Sequence, residues 1–181
     1  MRLYLVRHLA PQVAPGVCYG RTDLAVDPDM QALALPALRA TLPAGMPLFS
    51  SPLRRCAGLA AALGGAAVRY DTRLAELDFG DWEMRRWDDI ERAGVDAWAA
   101  DMAGYRPGGG ESVVDMARRV SAFYADRMRV PAPGAIVICH AGTIRLLSAR
   151  ARGLGPEAMA LEAAQHPHAI AYGGTVIIDC V

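Results

Sequence analysis

The stretch Ala135-Ile136-Val137-Ile138-Cys139-His140-Ala141-Gly142-Thr143 carries the clearest indication of the fold. Its first five residues are all apolar, which is typical of a strand buried on both faces of a parallel sheet. The apolar run ends at His140, and a helix is predicted to begin at Gly142-Thr143 and to continue through Arg152. A strand that leads directly into a helix indicates an α/β protein in which the two kinds of element alternate.

The rest of the chain continues this alternation. Strands are predicted at 3–6, 47–50 and 67–70, and a final hairpin at 169–172 and 176–179 around Gly173-Gly174. Helices are predicted at 27–41, where Pro36 bends or splits the helix, and at 51–63, 86–102 and 112–128, the last with Ser112 as its N-cap. Residues 71–82 show no period and are predicted to form a loop. The order predicts a three-layer α/β/α sandwich with a mostly parallel central sheet, in one domain over residues 1–181.

Length and composition bound the class of protein. The 181 residues are 53% hydrophobic and 21% charged, which suits a globular chain with one sizeable core. The 19 basic residues balance 19 acidic ones, so the composition argues against a nucleic-acid partner or an anionic membrane. The four cysteines form no Cys-x-x-Cys pair. The apolar run at the N-terminus is too short for a signal peptide or a membrane span. We therefore expect a cytoplasmic protein; whether it is a homo-oligomer is left open.

Basic and imidazole side chains follow three of the predicted strands. Arg7-His8 follows the first strand, Arg54-Arg55 follows the second by a few residues, and His140 follows the strand quoted above. Each alone has an ordinary structural explanation, a packed histidine or a solvated helix face. Ligands of open α/β sheets bind beyond the carboxyl ends of the strands, so together these residues predict a pocket for a phosphate.

Six ordered segments resemble one protein family. They are Leu5-Val6-Arg7-His8, Gly20-Arg21-Thr22-Asp23, Ser51-Pro52-Leu53-Arg54-Arg55-Cys56, residues 74–83 (Leu74-Ala75-Glu76 to Trp82-Glu83), Gly109-Gly110-Glu111-Ser112 and Cys139-His140-Ala141-Gly142-Thr143-Ile144-Arg145. In this order they are similar to the motifs of the histidine phosphatase superfamily, in its phosphoglycerate mutase-like branch. Within that branch, segment 16–24 resembles the alpha-ribazole phosphatases of the cobalamin pathway.

The resemblance implies a role for each matching residue. His8 would be the nucleophile that forms a phosphohistidine, and Glu76 would protonate the leaving oxygen and later deprotonate the attacking water. Arg7 and Arg55 would hold the phosphoryl oxygens, and His140 would donate a hydrogen bond to them. Arg21 would contact phosphate or substrate, or else form a structural salt bridge. The family's chemistry implies neither a metal nor a cofactor.

Other polar residues receive structural interpretations. Asp78, Asp81 and Glu83 are expected to be surface carboxylates, and Arg54 a solvated helix residue. His166 and His168 are expected in a surface loop rather than at a metal. Trp82, Trp87 and Trp98 could line a pocket, but packing in the core or at its rim is the expectation for two of them.

The segment after His8 departs from the family pattern. Leu9 stands where glycine is usual, and Ala10-Pro11-Gln12-Val13-Ala14 replaces the usual segment with its Glu, Ser or Thr and Asn, leaving Gln12 as one available donor. A Cβ disfavours positive φ, so the backbone at Leu9 would differ if the family's glycine used that freedom. The pocket would also lose side-chain donors to phosphate.

The resemblance implies a metal-independent phosphomonoesterase for a small phosphorylated metabolite, with α-ribazole 5′-phosphate as the best single substrate. Phosphoglycerate mutase-like phosphoryl transfer is an alternative, but the roughly forty residues after His140 leave little chain for the water-excluding lid and tail that such transfer needs. A catalytically impaired phosphate-binding module is the other alternative. Leu9 favours it, whereas Glu76 argues against it because binding alone needs no proton donor.

Overall fold

A computed structural model describes residues 1–64, 67–166 and 169–180. Five strands form one sheet: β1 Arg2–Arg7, β2 Leu48–Ser50, β3 Arg69–Tyr70, β4 Gly134–Cys139 and β5 Thr175–Asp179. The helices are α1 Pro28–Thr41, α2 Arg54–Gly64, α3 Arg92–Ala100, α4 Val113–Met128, α5 Ala141–Ala151 and α6 Pro156–Gln165. The strand order is β3-β2-β4-β1-β5, with β5 antiparallel to β1 and the other pairs parallel.

The sheet is covered by helices on both faces, as the sequence predicts. Leu5 of β1 and Val137 of β4 point into a core shared with α4, α5 and α6. Val6 and Ile138, one position along each strand, point into the opposite core against α1 and α2. Successive side chains of a strand alternate between faces, so uninterrupted apolar runs are what a sheet buried on both sides requires. The three-layer prediction is confirmed.

Local signals set several helix boundaries. The Asp27 carboxylate accepts from the N–H groups of Asp29 and Met30 and caps α1. Ser112 caps α4 by accepting from the N–H of Asp115 at 3.1 Å. Helix α1 continues through Pro36 without being split.

Two predicted elements were wrong. Helix α3 begins at Arg92 rather than at residue 86, because the preceding segment pairs with the chain near Cys18. The Met84 N–H donates to the Cys18 carbonyl at 2.8 Å, and Val17 and Arg86 form an isolated antiparallel β-bridge. The C-terminal hairpin is absent from the described residues, since β5 pairs instead with the free edge of β1. That pairing joins the two ends of the described chain and supports the one-domain interpretation, which stays a prediction.

Candidate active site

Three neighbouring strands end side by side and bring the predicted residues together. The N–H of His8, directly after β1, donates to the carbonyl of Cys139 at 3.0 Å. The N–H of Ser51, directly after β2, donates to the carbonyl of Ile138 at 3.0 Å. His140 follows β4, which lies between these strands. The parallel register therefore places both histidines at one edge of the sheet, where α/β proteins bind ligands.

His8 is buried and has one ring nitrogen free. Its Nδ1 lies 2.6 Å from the carbonyl oxygen of Leu9, which can only accept, so Nδ1 carries the proton and Nε2 keeps its lone pair. Burial lowers the pKa of His8 to about 3, and the charges of Arg55 and Arg7 act in the same direction, against the hydrogen bond to Leu9. The imidazole is therefore neutral at pH 7, as a nitrogen nucleophile requires.

Arg55 is a fully buried cation fixed by three partners. Its Nη1 donates to the Thr22 carbonyl at 2.7 Å, and its Nη2 donates to the Gly20 carbonyl. Its Nε lies 3.3 Å from Nδ1 of His140. Each terminal nitrogen still has a second N–H available for another acceptor. A fixed guanidinium of this kind suits the binding of phosphoryl oxygens.

Arg7 provides a second cation in the same cavity. Its Nη1 donates to the Ile170 carbonyl at 2.6 Å, and its guanidinium lies over the ring of Tyr172, 3.8 Å from the centroid. The Tyr172 hydroxyl lies 2.7 Å from that of Tyr19. Within the described residues, the Nε of Arg7 is buried without a hydrogen-bond partner. Arg7 also lines the cavity, so its guanidinium offers a positive charge to an anion bound there.

His140 is wholly buried behind His8, with its ring centroid 5.0 Å away in an edge arrangement. Its Nδ1 accepts from the Nε of Arg55, so Nε2 carries the proton and donates to Oγ of Ser51 at 2.8 Å. Burial lowers its pKa well below the usual value, and Arg55 adds to the effect. Both ring nitrogens are engaged with the protein, and His140 is not among the residues that line the cavity.

Glu76 lines the cavity from the segment between β3 and α3. Its Oε2 accepts from the N–H of Gly142, in the first turn of α5, at 3.1 Å. Its Oε1 accepts from the N–H of Leu77 at 3.1 Å. A Cβ on residue 142 would lie 2.4 Å from Oε1, so this approach requires glycine.

The cavity has a volume of about 480 Å³ and is lined by both charged and apolar side chains. Arg7, His8, Arg55 and Glu76 all face it, which places four of the predicted site residues around one space. The other lining residues, which we call the rim, are mostly aromatic and aliphatic. The other residues lining the cavity include Tyr19, Leu77, Phe79, Trp98, Met102, Val113, Met116, Arg145, Leu146, Ala163 and His166.

Glu83 was wrongly predicted as a surface carboxylate. It is half-buried, and its oxygens accept from the N–H groups of Gly20, Arg21, Thr22 and Phe79 at 2.8–3.1 Å and from the Thr22 hydroxyl. Burial alone would raise the pKa of Glu83, but these hydrogen bonds outweigh it and hold the pKa below its usual value. Glu83 thus fixes the loop whose carbonyls hold Arg55.

The remaining basic and polar candidates lie outside the cavity lining. Arg21 is half-exposed and forms an ion pair with Asp78 at 3.5 Å, so it makes a structural salt bridge. Arg54 is exposed, as predicted, and Gln12 is also exposed. We therefore leave Arg21 out of the proposed phosphate contacts.

The substitution of leucine for glycine after His8 is accommodated without strain. Among the described residues only Met84 is a non-glycine with positive φ, so the Leu9 backbone is ordinary. The Leu9 side chain is buried against the 173 turn, where an added Cβ on Gly173 would lie 2.9 Å from it. Because residue 173 is glycine, it leaves the space that the Leu9 side chain occupies.

The three tryptophans form an aromatic cluster beside the cavity. Trp87 and Trp98 are stacked with centroids 5.9 Å apart, and Trp82 and Phe79 meet Trp98 edge-on at 6.0 Å. Trp82 is buried, as expected of a core residue, whereas Trp98 lines the cavity. These contacts hold the rim of the cavity in place.

The prediction for the two late histidines is only partly covered. His166 is exposed and lines the cavity, while His168 lies outside the described residues. Within the described ranges, no three His, Cys, Asp or Glu side chains are grouped to hold a metal ion. The helices of those ranges include none with the length and apolar character needed to cross a membrane.

Fold and site together define an α/β protein with a histidine and two arginines at the carboxyl ends of its parallel strands. The model of the histidine phosphatase superfamily (branch 1) matches residues 3–171. The chain belongs to this superfamily.

Named relatives fall into two groups. The chain is 36% identical over 120 residues to the glucosyl-3-phosphoglycerate phosphatase of Mycolicibacterium vanbaalenii, covering 59% of this chain and 53% of that protein. It is 33% identical over 96 residues to the adenosylcobalamin/alpha-ribazole phosphatase of Escherichia coli, covering 51% of this chain and 47% of that protein. The matched stretches span about half the length of these curated relatives.

Solved structures are similar over nearly the whole chain. The alpha-ribazole phosphatase of Shigella flexneri has a TM-score of 0.81 at 27% identity, covering 99% of this chain and 90% of that one. A mycobacterial glucosyl-3-phosphoglycerate phosphatase solved with VO3 has a TM-score of 0.78 at 27% identity, covering 98% and 92%.

Proposed function

We propose that the protein is a metal-independent phosphomonoesterase that hydrolyses a small phosphorylated metabolite through a phosphohistidine on His8. The observation that carries this proposal is the arrangement of His8: the Leu9 carbonyl holds its Nδ1–H, which leaves Nε2 unprotonated, and His8 lines a cavity together with Arg7, Arg55 and Glu76. A neutral nucleophile, two cations and a carboxyl group supply what transfer of a phosphoryl group requires.

In the first step, Nε2 of His8 attacks phosphorus and the bond to the ester oxygen breaks. Glu76, in its protonated form, gives its proton to that oxygen, so the alcohol leaves neutral. The hydrogen bond from Nδ1–H to Leu9 stabilises the positive charge that develops on the imidazole ring. Arg7 and Arg55 hold the non-bridging oxygens before and during the transfer.

In the second step, water attacks the phosphohistidine. Glu76, now a carboxylate, takes a proton from the water as the new P–O bond forms and the N–P bond breaks. Inorganic phosphate leaves, and His8 and Glu76 return to their starting states. In this proposal His140 donates to a phosphoryl oxygen, which requires its Nε2–H to leave Ser51 and its ring to reach the cavity, which it does not line in this structure.

The rim of the cavity bears on the leaving alcohol. Phe79, Trp98 and Met102 present flat and flexible apolar surface, which suits an alcohol that carries an aromatic base. α-Ribazole 5′-phosphate is therefore our first substrate. The mycobacterial relatives suggest glucosyl-3-phosphoglycerate as the second, and Arg145 at the rim favours it because a cation there could meet its carboxylate.

The test is phosphate release from a panel of monoesters that contains both substrates and 3-phosphoglycerate. We expect release with and without a chelator, and an acid-labile labelled adduct after a rapid quench that His8→Ala removes. Isomerisation of 3-phosphoglycerate that depends on 2,3-bisphosphoglycerate would indicate a mutase. Phosphate binding without adduct or turnover would indicate the impaired binding module, and dependence on added metal would refute the mechanism.

A further inference from the structure

Arg119 of helix α4 forms a nearly buried ion pair that faces the Glu76 segment. Its Nε donates to Oε1 of Glu111 at 2.7 Å, and its Nη2 donates to Oε2 at 2.8 Å. The two side chains are only 17% and 14% exposed. This is the two-pronged geometry in which arginine and carboxylate bind most specifically.

The other N–H groups of Arg119 bind the backbone of the segment that carries Glu76. Nη1 donates to the carbonyls of Arg73 and Ala75, both at 2.7 Å. Nη2 donates to the carbonyl of Glu76 itself at 3.1 Å. With the two bonds to Glu111, all five donors of the guanidinium have a partner.

The segment needs such support because it has no regular secondary structure of its own. A short turn ends at Leu74, and Ala75 is extended. Thr143 of α5 adds one further bond, from its hydroxyl to the Leu74 carbonyl at 3.1 Å. The backbone around Glu76 is therefore held from α4 by Arg119 and from α5 by Thr143, while Gly142 holds the Glu76 carboxylate.

We propose that Arg119 is a positioning residue that fixes the carboxyl group of Glu76 in the position from which it protonates the leaving oxygen. Arg119 does not line the cavity and acts only through the backbone carbonyls of the segment. The inference rests on the proposed function, in which Glu76 is the proton donor. If Arg119 acts in this way, replacing it should slow esters with poor leaving groups more than esters with good ones. A general loss of folding would slow both alike.

The experiment compares benzyl phosphate, whose alcohol is a poor leaving group, with p-nitrophenyl phosphate, whose alcohol is a good one. The measured quantity is kcat/KM, because it reports the steps up to phosphorylation of His8 and not the second step, which both esters share. For Arg119→Lys we expect kcat/KM on benzyl phosphate to fall by about 10–100-fold, because a misplacement near 1 Å costs up to about 10²-fold, with only a small change on p-nitrophenyl phosphate. Glu76→Gln should show the same selectivity. Arg118→Lys, at the neighbouring exposed position, is the matched control and should leave both rates unchanged.

If Arg119→Lys does not fold, Glu111→Gln provides the second variant. It weakens the ion pair while keeping the side-chain shape, and a smaller loss confined to benzyl phosphate is expected. Equal losses on both esters, or no loss on either, would overturn the inference. The proposed function would still stand if the wild-type protein turned over and Glu76→Gln showed the expected selectivity. A wild-type protein without adduct or turnover would overturn both.

Discussion

Replacing Gly142 by alanine tests the placement of Glu76 directly. The added Cβ would lie 2.4 Å from Oε1 of Glu76 and 3.2 Å from its carboxyl carbon. A carbon and an oxygen that are not bonded come no closer than about 3.3 Å, so the carboxyl group must retreat by roughly 1 Å. Its hydrogen bond from the Gly142 N–H, now 3.1 Å, would lengthen or break.

A displacement of this size in an acid–base group reduces the rate by about 10²-fold, which corresponds to about 2.7 kcal/mol of transition-state stabilisation. The free energy of unfolding should rise slightly or stay unchanged, because alanine is favoured over glycine in a helix by about 0.5–1 kcal/mol. The variant is therefore expected to be folded, with an unchanged or slightly raised Tm, and slow on benzyl phosphate.

The assay is kcat/KM on both esters together with thermal unfolding. Gly58→Ala is the matched control: it is also a helical glycine, and its Cβ would meet only the flexible end of Gln31 at 3.1 Å. If Gly142→Ala turned over benzyl phosphate at the wild-type rate, the carboxyl group could not be acting from the position described for it.

Further predictions concern the nucleophile and the loop behind Arg55. His8→Ala should abolish the labelled adduct and turnover while leaving circular dichroism unchanged. Gly20→Ala should lose about 3 kcal/mol of unfolding free energy in chemical denaturation, because its Cβ would lie 1.9 Å from the Leu77 carbonyl oxygen. Since the pKa of Glu83 is depressed in the folded state, its stabilisation is present at neutral pH and lost as pH falls through that pKa. Glu83→Gln should therefore lower Tm at pH 7 more than at pH 3, and an equal drop at both would contradict this sign.

The sequence predicts well what depends on local pattern. The apolar runs of β1 and β4 and the caps Asp27 and Ser112 each indicate their element through nearby residues. The parallel register then brings His8 and His140 together, because both immediately follow the ends of paired strands.

Most features that the sequence analysis missed depend on distant contacts. Glu83 has the local appearance of an exposed carboxylate, and only the folded loop at 20–22 supplies its donors. Tyr172 and Arg119 likewise acquire their partners across the fold. Helix α6 was also missed, although Gly155-Pro156 offered a start signal.

The protonation state of His8 changes how acid should affect the reaction. A nucleophile whose pKa is about 3 stays unprotonated through the mildly acidic range. A phosphate monoester, by contrast, takes up its second proton near pH 6. Any decline of kcat/KM on the acid side would then follow the conversion of the substrate dianion to its monoanion, and would shift with the choice of ester rather than with mutations around the imidazole.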